Sequence, residues 1–356
     1  MSLYPGFSTA QMDATFALNN RVSAMAAVEA AVAEAQGAAG DIPVEAATAI
    51  VAACADPVGT DILVDGWQVG TPVLGLLDML KSRLPPDMHQ FLHYGLTTQD
   101  VIDTATMVLV NDALRQLGDL AGEAAAAMRS IIDRSGSVAT QARSFLQPAD
   151  VTTVGFRTAR WLDQLDRVRR NASSATTPVQ LGGLIGDCLG ISEGVVDKVA
   201  TRLGLHPARP WHTDRAPIFA VVNIATDFAR WASKVGVDIA QLVQLGEITT
   251  RSGGSTAAAG KRNPIDAMRG TAAAEACAGI ATVITHSKPH ELERGLGSWH
   301  AEWLAIPLVF QTCGAALDAI GDALVSLEVE PSALVVAPDR QTAADAYVKL
   351  ILEQSP

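Results

Sequence analysis

Residues 98–132 read "TQDVIDTATMVLVNDALRQLGDLAGEAAAAMRSII". Apolar residues recur through this stretch at helical spacing, and no proline interrupts it. Thr97 and Thr98 stand before it as N-cap candidates, Gln99 and Asp100 fall in its first turn, and Gly136 follows as a stop signal. Two further patterns of similar length occupy 214–247 and 296–328. At 1.5 Å per residue, helices of about 30 residues within these stretches would each be about 45 Å long, which implies a long helical bundle shared between subunits rather than a compact globule.

Shorter helices are expected at 12–37 (ending near Gly37), 44–54, 67–82 (closed by Pro85-Pro86), 151–172, 190–204 and 339–353, with a restart at Pro264 as an N1 proline. No segment alternates with period two for long, so the expected class is all-α. Three units are expected: an N-terminal helical domain over 1–96, a central long-helix bundle over 97–328, and a short C-terminal piece over 329–356. The stretch "EVEPSALVVAP" (328–338) would be the hinge to the last of these.

The 356 residues are 49% hydrophobic but only 5% aromatic, which favours close helix–helix packing and allows a large core. The formal net charge is −12, a poor balance for a nucleic-acid or membrane-surface binder. Any anionic ligand would therefore need a locally positive site. Cys54, Cys188, Cys277 and Cys313 lack metal or redox spacing and read as reduced, cytoplasmic thiols. The opening "MSLYPGFSTAQMDATF" lacks the basic and apolar regions of a signal peptide, and no uncharged apolar run reaches about 18 residues. No metal-ligand spacing links the histidines.

Five segments carry candidate chemistry, each with a plainer structural reading beside it. In "HYGLTTQDVIDTA" (93–105), Thr97 and Thr98 could hold a carboxylate at a helix N-terminus, or simply cap the helix. In "ARSFLQPADVTTVG" (142–155), Arg143, Ser144 and Gln147 line either a binding loop or a solvated turn. In "VQLGGLIGD" (179–187), Gln180 precedes a glycine pair that fits a binding site or a close helix contact. "SGGSTAAAGKRNP" (252–264) is not a Walker-type phosphate loop, because Arg262 stands where Ser or Thr is required. It reads either as a linker or as a mobile loop carrying Ser255, Lys261 and Asn263. In "HELERGLGSWHAEW" (290–303), Arg294 could reach a site or belong to a helical charge ladder.

In their order along the chain these segments resemble the fumarase/aspartase superfamily over about residues 7–335. Its loop signature, roughly G-S-S-x-M-P-x-K-x-N-P, corresponds to Gly254 through Pro264, and its H-x-G-x-T-S-x-D-x-x-D-T to residues 93–104. "FSTAQMDATF", "VQLGG", "PWHTDR" (210–215) and "ERGLGSWHAEW" (293–303) resemble the 3-carboxy-cis,cis-muconate cycloisomerase branch. The resemblance implies a tetramer with a core of 20 helices, sites built from three subunits, a small polycarboxylate substrate and no cofactor. It implies that Ser255, Lys261 and Asn263 are catalytic, and that Thr97, Thr98, Ser144, Gln147 and Gln180 hold carboxylates. His93, Arg157 and Arg294 would be further partners and Trp161 a wall of the site. Three departures stand out: Ala258-Ala259 replace the loop's Met-Pro, the C-terminal domain is shortened, and Pro148 and Met268 stand where many family lyases pair a histidine with a glutamate. That loss fits lactonisation, in which the nucleophile is the substrate's own carboxylate, already ionised at neutral pH and delivered intramolecularly. A lyase with an ionised leaving group and a non-catalytic scaffold are the alternatives.

Overall fold

The computed structural model describes residues 4–258 and 260–354. Ala259, one of the two loop alanines noted above, lies outside the described residues. The chain forms helices α1 (Ala10–Thr15), α2 (Leu18–Ala39), α3 (Val44–Ala55), α4 (Asp61–Gln68), α5 (Pro72–Ser82) and α6 (Thr98–Ser135), with a 3-10 turn at Pro86–Phe91. A hairpin of β1 (Ala139–Ser144) and β2 (Gln147–Thr153) leads into α7 (Val154–Ser173) and α8 (Val195–Leu203). Helix α9 (Ala216–Gln244) is followed by the two-residue strands β3 (Ile248–Thr249), β4 (Ser252–Gly253) and β5 (Asn263–Pro264). Then come α10 (Ile265–Thr285), α11 (Ser298–Val325), β6 (Glu328–Val329) and α12 (Pro338–Gln354).

The long helices meet the expectation closely. Helix α6 runs 38 residues, about 57 Å, and starts on a capping box in which Thr97 and Asp100 satisfy each other's backbone N–H groups. Helices α6, α9, α10 and α11 pack side by side, with α2 and α7 against the flanks. Their shared core holds Met107, Leu117, Met128, Ile131, Phe228 and Phe310, all less than 2% exposed. Small residues let these helices approach: a Cβ at Gly270 would meet Ile320 at 2.6 Å. Helix α11 is long and apolar enough to cross a bilayer, but 78% of its most apolar window is buried inside the protein.

Several expectations are corrected. The pattern at 12–37 splits into α1 and α2, because Phe16 turns inward and the freed carbonyls of Thr15 and Phe16 accept from Asn20 and Arg21. Arg21 also reaches the Trp303 carbonyl at 3.3 Å. That carbonyl lacks its usual helical donor, since position 307 within α11 is proline. Helix α2 does not end at Gly37: Gly40 is its left-handed cap (φ 86°), and Gly37 is a packing residue whose Cβ would strike Ala47 at 2.5 Å. The pattern at 67–82 becomes α4 and α5, with Thr71 capping the second. Pro264 is an N-cap rather than N1.

The mostly helical class holds, with three small two-stranded pairings added. The largest is the β1–β2 hairpin, where a plain loop was expected. Its register pairs Ser144 with Gln147 and Arg143 with Pro148, past an irregularity at Ala142/Arg143 that accommodates the proline. The expected hinge at 328–338 begins with β6, which pairs with β3. Helix α12 then folds back on α7, with the Phe156 and Tyr347 rings 5.2 Å apart and Arg340 on Asp150 at 2.7 Å.

Candidate active site

The candidate residues fall at opposite ends of α6. Thr97, Thr98, Gln180, Arg294 and His93 gather at its N-terminal end. Ser144 and Gln147 lie at its C-terminal end, with Arg157 and Trp161 alongside its last turns, and the loop carrying Ser255, Lys261 and Asn263 is on the same side. The loop is tied to that end because β3 pairs with β6 and Arg251 bonds Asp266 and Asp322. The hairpin joins it through Thr140, whose hydroxyl donates to Glu247 at 2.6 Å.

At the N-terminal end, Asp100 is fully buried and accepts five hydrogen bonds. They come from the backbone N–H of Thr97 (3.0 Å), Gly182 (2.9 Å) and Gly183 (2.9 Å), and from Gln180 Nε2 (3.1 Å) and His212 Nε2 (3.0 Å). This carboxylate locks the helix start to the glycine turn. It also fixes the fate of Gln180: the amide donates to Asp100, and its oxygen accepts from the Trp211 N–H at 2.6 Å. Fully buried and bonded on both sides, Gln180 shapes the turn. One turn along α6, Asp103 takes the Arg215 fork (2.7 and 3.1 Å), Gln99 (3.0 Å) and the Trp299 indole (2.9 Å). Glu302 grips the other side of Arg215 at 2.6 Å. Burial alone would weaken the Arg215 charge, but the two carboxylates outweigh it and raise its pKa. Above this network, Arg294 donates to the Thr97 hydroxyl at 2.7 Å and to the Leu184 carbonyl at 3.2 Å. Thr98 is partly exposed beside them. Free N–H groups of a helix start, two hydroxyls and a guanidinium thus converge, an arrangement suited to a carboxylate.

At the other end, the hairpin turns on Phe145 and Leu146, both left-handed (φ 50° and 64°) and 99% and 68% exposed. Bulky residues rarely occupy such a turn, so the tip is strained. Ser144 and Gln147 flank it, exposed. Arg157 does not point free into the site: it donates to the Thr140 hydroxyl (2.8 Å) and the Gln141 carbonyl (2.9 Å), bracing the hairpin base. Glu247 joins that brace, 2.5 Å from Arg143 and 3.5 Å from Arg157. Burial pushes the Glu247 carboxyl up, yet the hydrogen bonds from Arg143 and Thr140 and both arginine charges bring it below its usual range. Beneath the hairpin, between α7 and α9, lies a cavity of about 420 Å³. Arg143, Arg157, Arg160, Lys234 and Asp238 line it, an excess of positive charge in a strongly acidic chain. Trp161 forms its floor, held by its indole N–H to Asp238 at 2.8 Å.

In the loop, Ser255 Oγ accepts from the backbone N–H of Ala257 (3.3 Å) and Ala258 (3.1 Å). Those two donors could stabilise a seryl oxyanion. Asn263 Nδ2 closes the loop's base on the Gly254 carbonyl at 3.1 Å, and Lys261 is exposed. Met268 is 60% exposed on α10, and Pro148 sits in the hairpin, so neither position offers a titratable group. Among the described residues no cluster of His, Cys, Asp or Glu is arranged for a metal ion.

Sequence reasoning singled out neither Asp100, Asp103, His212, Arg215 and Glu302 as a network nor Glu247 as a brace. An available signal was the pair Asp100 and Asp103 at i,i+3 on an apolar helix, beside the "PWHTDR" segment.

A long helical bundle with donors gathered at the start of α6 and a serine-bearing loop at its other end points to a class, and the comparisons give it: the chain belongs to the Lyase family, whose model matches residues 6–279. It is 32% identical over 346 residues to the 3-carboxy-cis,cis-muconate cycloisomerase of Acinetobacter baylyi, covering 90% of this chain and 76% of that one. It is 31% identical over 335 residues to the nitrosuccinate lyase of Streptomyces davaonensis, covering 87% and 70%. The crystal structure of 3-carboxy-cis,cis-muconate lactonizing enzyme from Pseudomonas putida superposes with a TM-score of 0.83 at 27% identity, covering 98% of this chain and 80% of that one. The resemblance read from the ordered motifs therefore holds across the chain.

Proposed function

We propose that this protein is an intramolecular lyase that closes 3-carboxy-cis,cis-muconate to 4-carboxymuconolactone, a step of protocatechuate breakdown. A substrate carboxylate oxygen adds across the conjugated alkene, and the α-carbon gains a proton from Ser255. Lys261 and Asn263 stabilise the aci-carboxylate that forms on the way. The Ala257 and Ala258 N–H groups hold the seryl oxyanion that this proton transfer leaves, which is also the base that starts the reverse step. Thr97, Thr98 and Arg294 bind one carboxylate, Ser144 and Gln147 another, over the floor of Trp161. A homotetramer, with 97–328 as its catalytic bundle, would bring one chain's helix start against the hairpin and loop of others. The two groups of residues sit toward opposite ends of a helix about 57 Å long, which supports this reading. We read it as a cytoplasmic enzyme without metal or organic cofactor.

The observation that carries the reaction type is the absence of any titratable side chain at positions 148 and 268. Addition or loss of water or an amine needs a general acid or base there; attack by an ionised carboxylate does not. Hydroxyl and amide donors would also accept a 3-sulfo analogue. An ultraviolet assay tests the proposal: diene absorbance should fall with 3-carboxymuconate while no second product is released. A second reading follows from the nitrosuccinate lyase relative. Elimination of an ionised group such as nitrite also dispenses with that acid. Release of fumarate from nitrosuccinate, with 3-carboxymuconate left intact, would establish it instead.

A further inference from the structure

His93 and Glu29 form a pair that the reaction as written leaves unused. His93 lies four residues before Thr97, in a turn closed by the Leu96 N–H on the His93 carbonyl at 3.2 Å. Its backbone is left-handed (φ 61°), an unfavourable conformation for a side chain of this size. Its Nδ1 lies 2.6 Å from Glu29 Oε1, and Glu29, on α2, is 1% exposed. No other side chain bonds the Glu29 carboxylate among the described residues, so the imidazole is the cation that permits its burial. His93 Nε2 has no hydrogen-bond partner among the described residues, and the side chain is 16% exposed. It stands at the helix start where Thr97 and Arg294 meet.

We propose that Glu29 is a positioning residue. It fixes the His93 ring through Nδ1 and holds it as an imidazolium, so that Nε2–H serves as a charged donor to a substrate carboxylate. The charges facing the ring are Glu29 on α2, Asp100 on α6 and Lys81 on α5. Burial works against the imidazolium and Lys81 opposes it, but Glu29 and Asp100 prevail and raise its pKa. A group so raised keeps its charge, and the binding it supplies, below that pKa and loses both as the pH climbs through it. This inference rests on the cycloisomerase reading.

The test is the pH profile of KM for 3-carboxymuconate in the full-length enzyme. Glu29→Gln keeps a hydrogen-bond partner but removes the charge, so the rise in KM should begin at lower pH than in wild type. KM should approach the wild-type value toward the acid end of the profile and exceed it about tenfold where only the wild-type ring is still charged, with kcat little changed. His93→Asn tolerates the left-handed backbone and is the second variant. It should raise KM at low pH and abolish the pH-dependent limb. Coincident wild-type and Glu29→Gln profiles, or a wild-type KM in His93→Asn at low pH, would overturn the proposal. A wild-type enzyme inactive on 3-carboxymuconate would refute the reaction instead.

Discussion

At the Thr98 end of α6, Asp100, Asp103, Gln180, His212 and Arg215 are each no more than 5% exposed, and their polar groups bond chiefly to one another. At the Ser135 end, Ser144, Gln147 and Lys261 are exposed, the hairpin tip is strained, and two apolar side chains stand out at that tip. One end is organised before anything binds. The other has an internal brace, Glu247 with two arginines, but its working face is open. In the proposed reaction this end binds a substrate carboxylate, and its preorganisation lowers the cost of ordering on binding. In the proposed tetramer the open end would meet a substrate held by another chain.

Asp103→Ala attacks the organised end and has the largest expected effect. It takes away one of the two carboxylates on the buried Arg215, which keeps Glu302, and leaves the Trp299 indole without its acceptor; it should cost about 3 kcal/mol of stability in urea unfolding. A loss below about 1 kcal/mol would show that this end is not a stabilising network. Ser255→Ala addresses the open end. Turnover should fall at least ~10²-fold with the unfolding midpoint unchanged, and ordinary activity would remove Ser255 from the mechanism. Lys261→Met should weaken binding and turnover together, each by about tenfold.

Replacing Phe145-Leu146 by Asn-Gly sharpens the contrast further. The new pair suits two left-handed positions, so stability of the isolated chain should rise by about 1–2 kcal/mol. If the tip docks on another copy, activity should fall as the stability rises. A rise in both would mean that the tip has no such role. The smallest effect is electrostatic. Glu247 has a lowered pKa in the fold, so its contribution is complete above the ordinary carboxylate range and is lost as pH falls through the lowered value. Arg143 and Arg157 then lose their shared partner. Hydrogen exchange at the hairpin should quicken in acid before exchange in the α6 core does.

The long bundle helices were legible because patterns such as the 38 residues of α6 keep one period without a proline, whereas 12–37 and 67–82 each hid a corner. The hairpin was not, since Gln141, Arg143 and Pro148 interrupt any alternation, and its pairing depends on α7 and Glu247 rather than on local preference. The loop's chemistry could be read from spacing and resemblance, but the two N–H groups on Ser255 depend on a turn that sequence does not fix. The buried network was hidden for another reason. Asp100, Arg215 and Glu302 look like surface residues until the chain brings partners across 80 or more positions. Glu29 and His93, 64 residues apart, were obscured in the same way.

Arg21 deserves a last consequence. Its guanidinium bonds the carbonyls of Phe16 and Trp303, one left over by the corner between α1 and α2, the other by the proline in α11. Two helix interruptions far apart in the chain are thereby joined at one side chain. The corner and the helix turn at Pro307 should open as a single unit, and amides on both sides of each should exchange at a common rate. Arg21→Met should uncouple those rates, leaving two independent breathing points where the native protein has one.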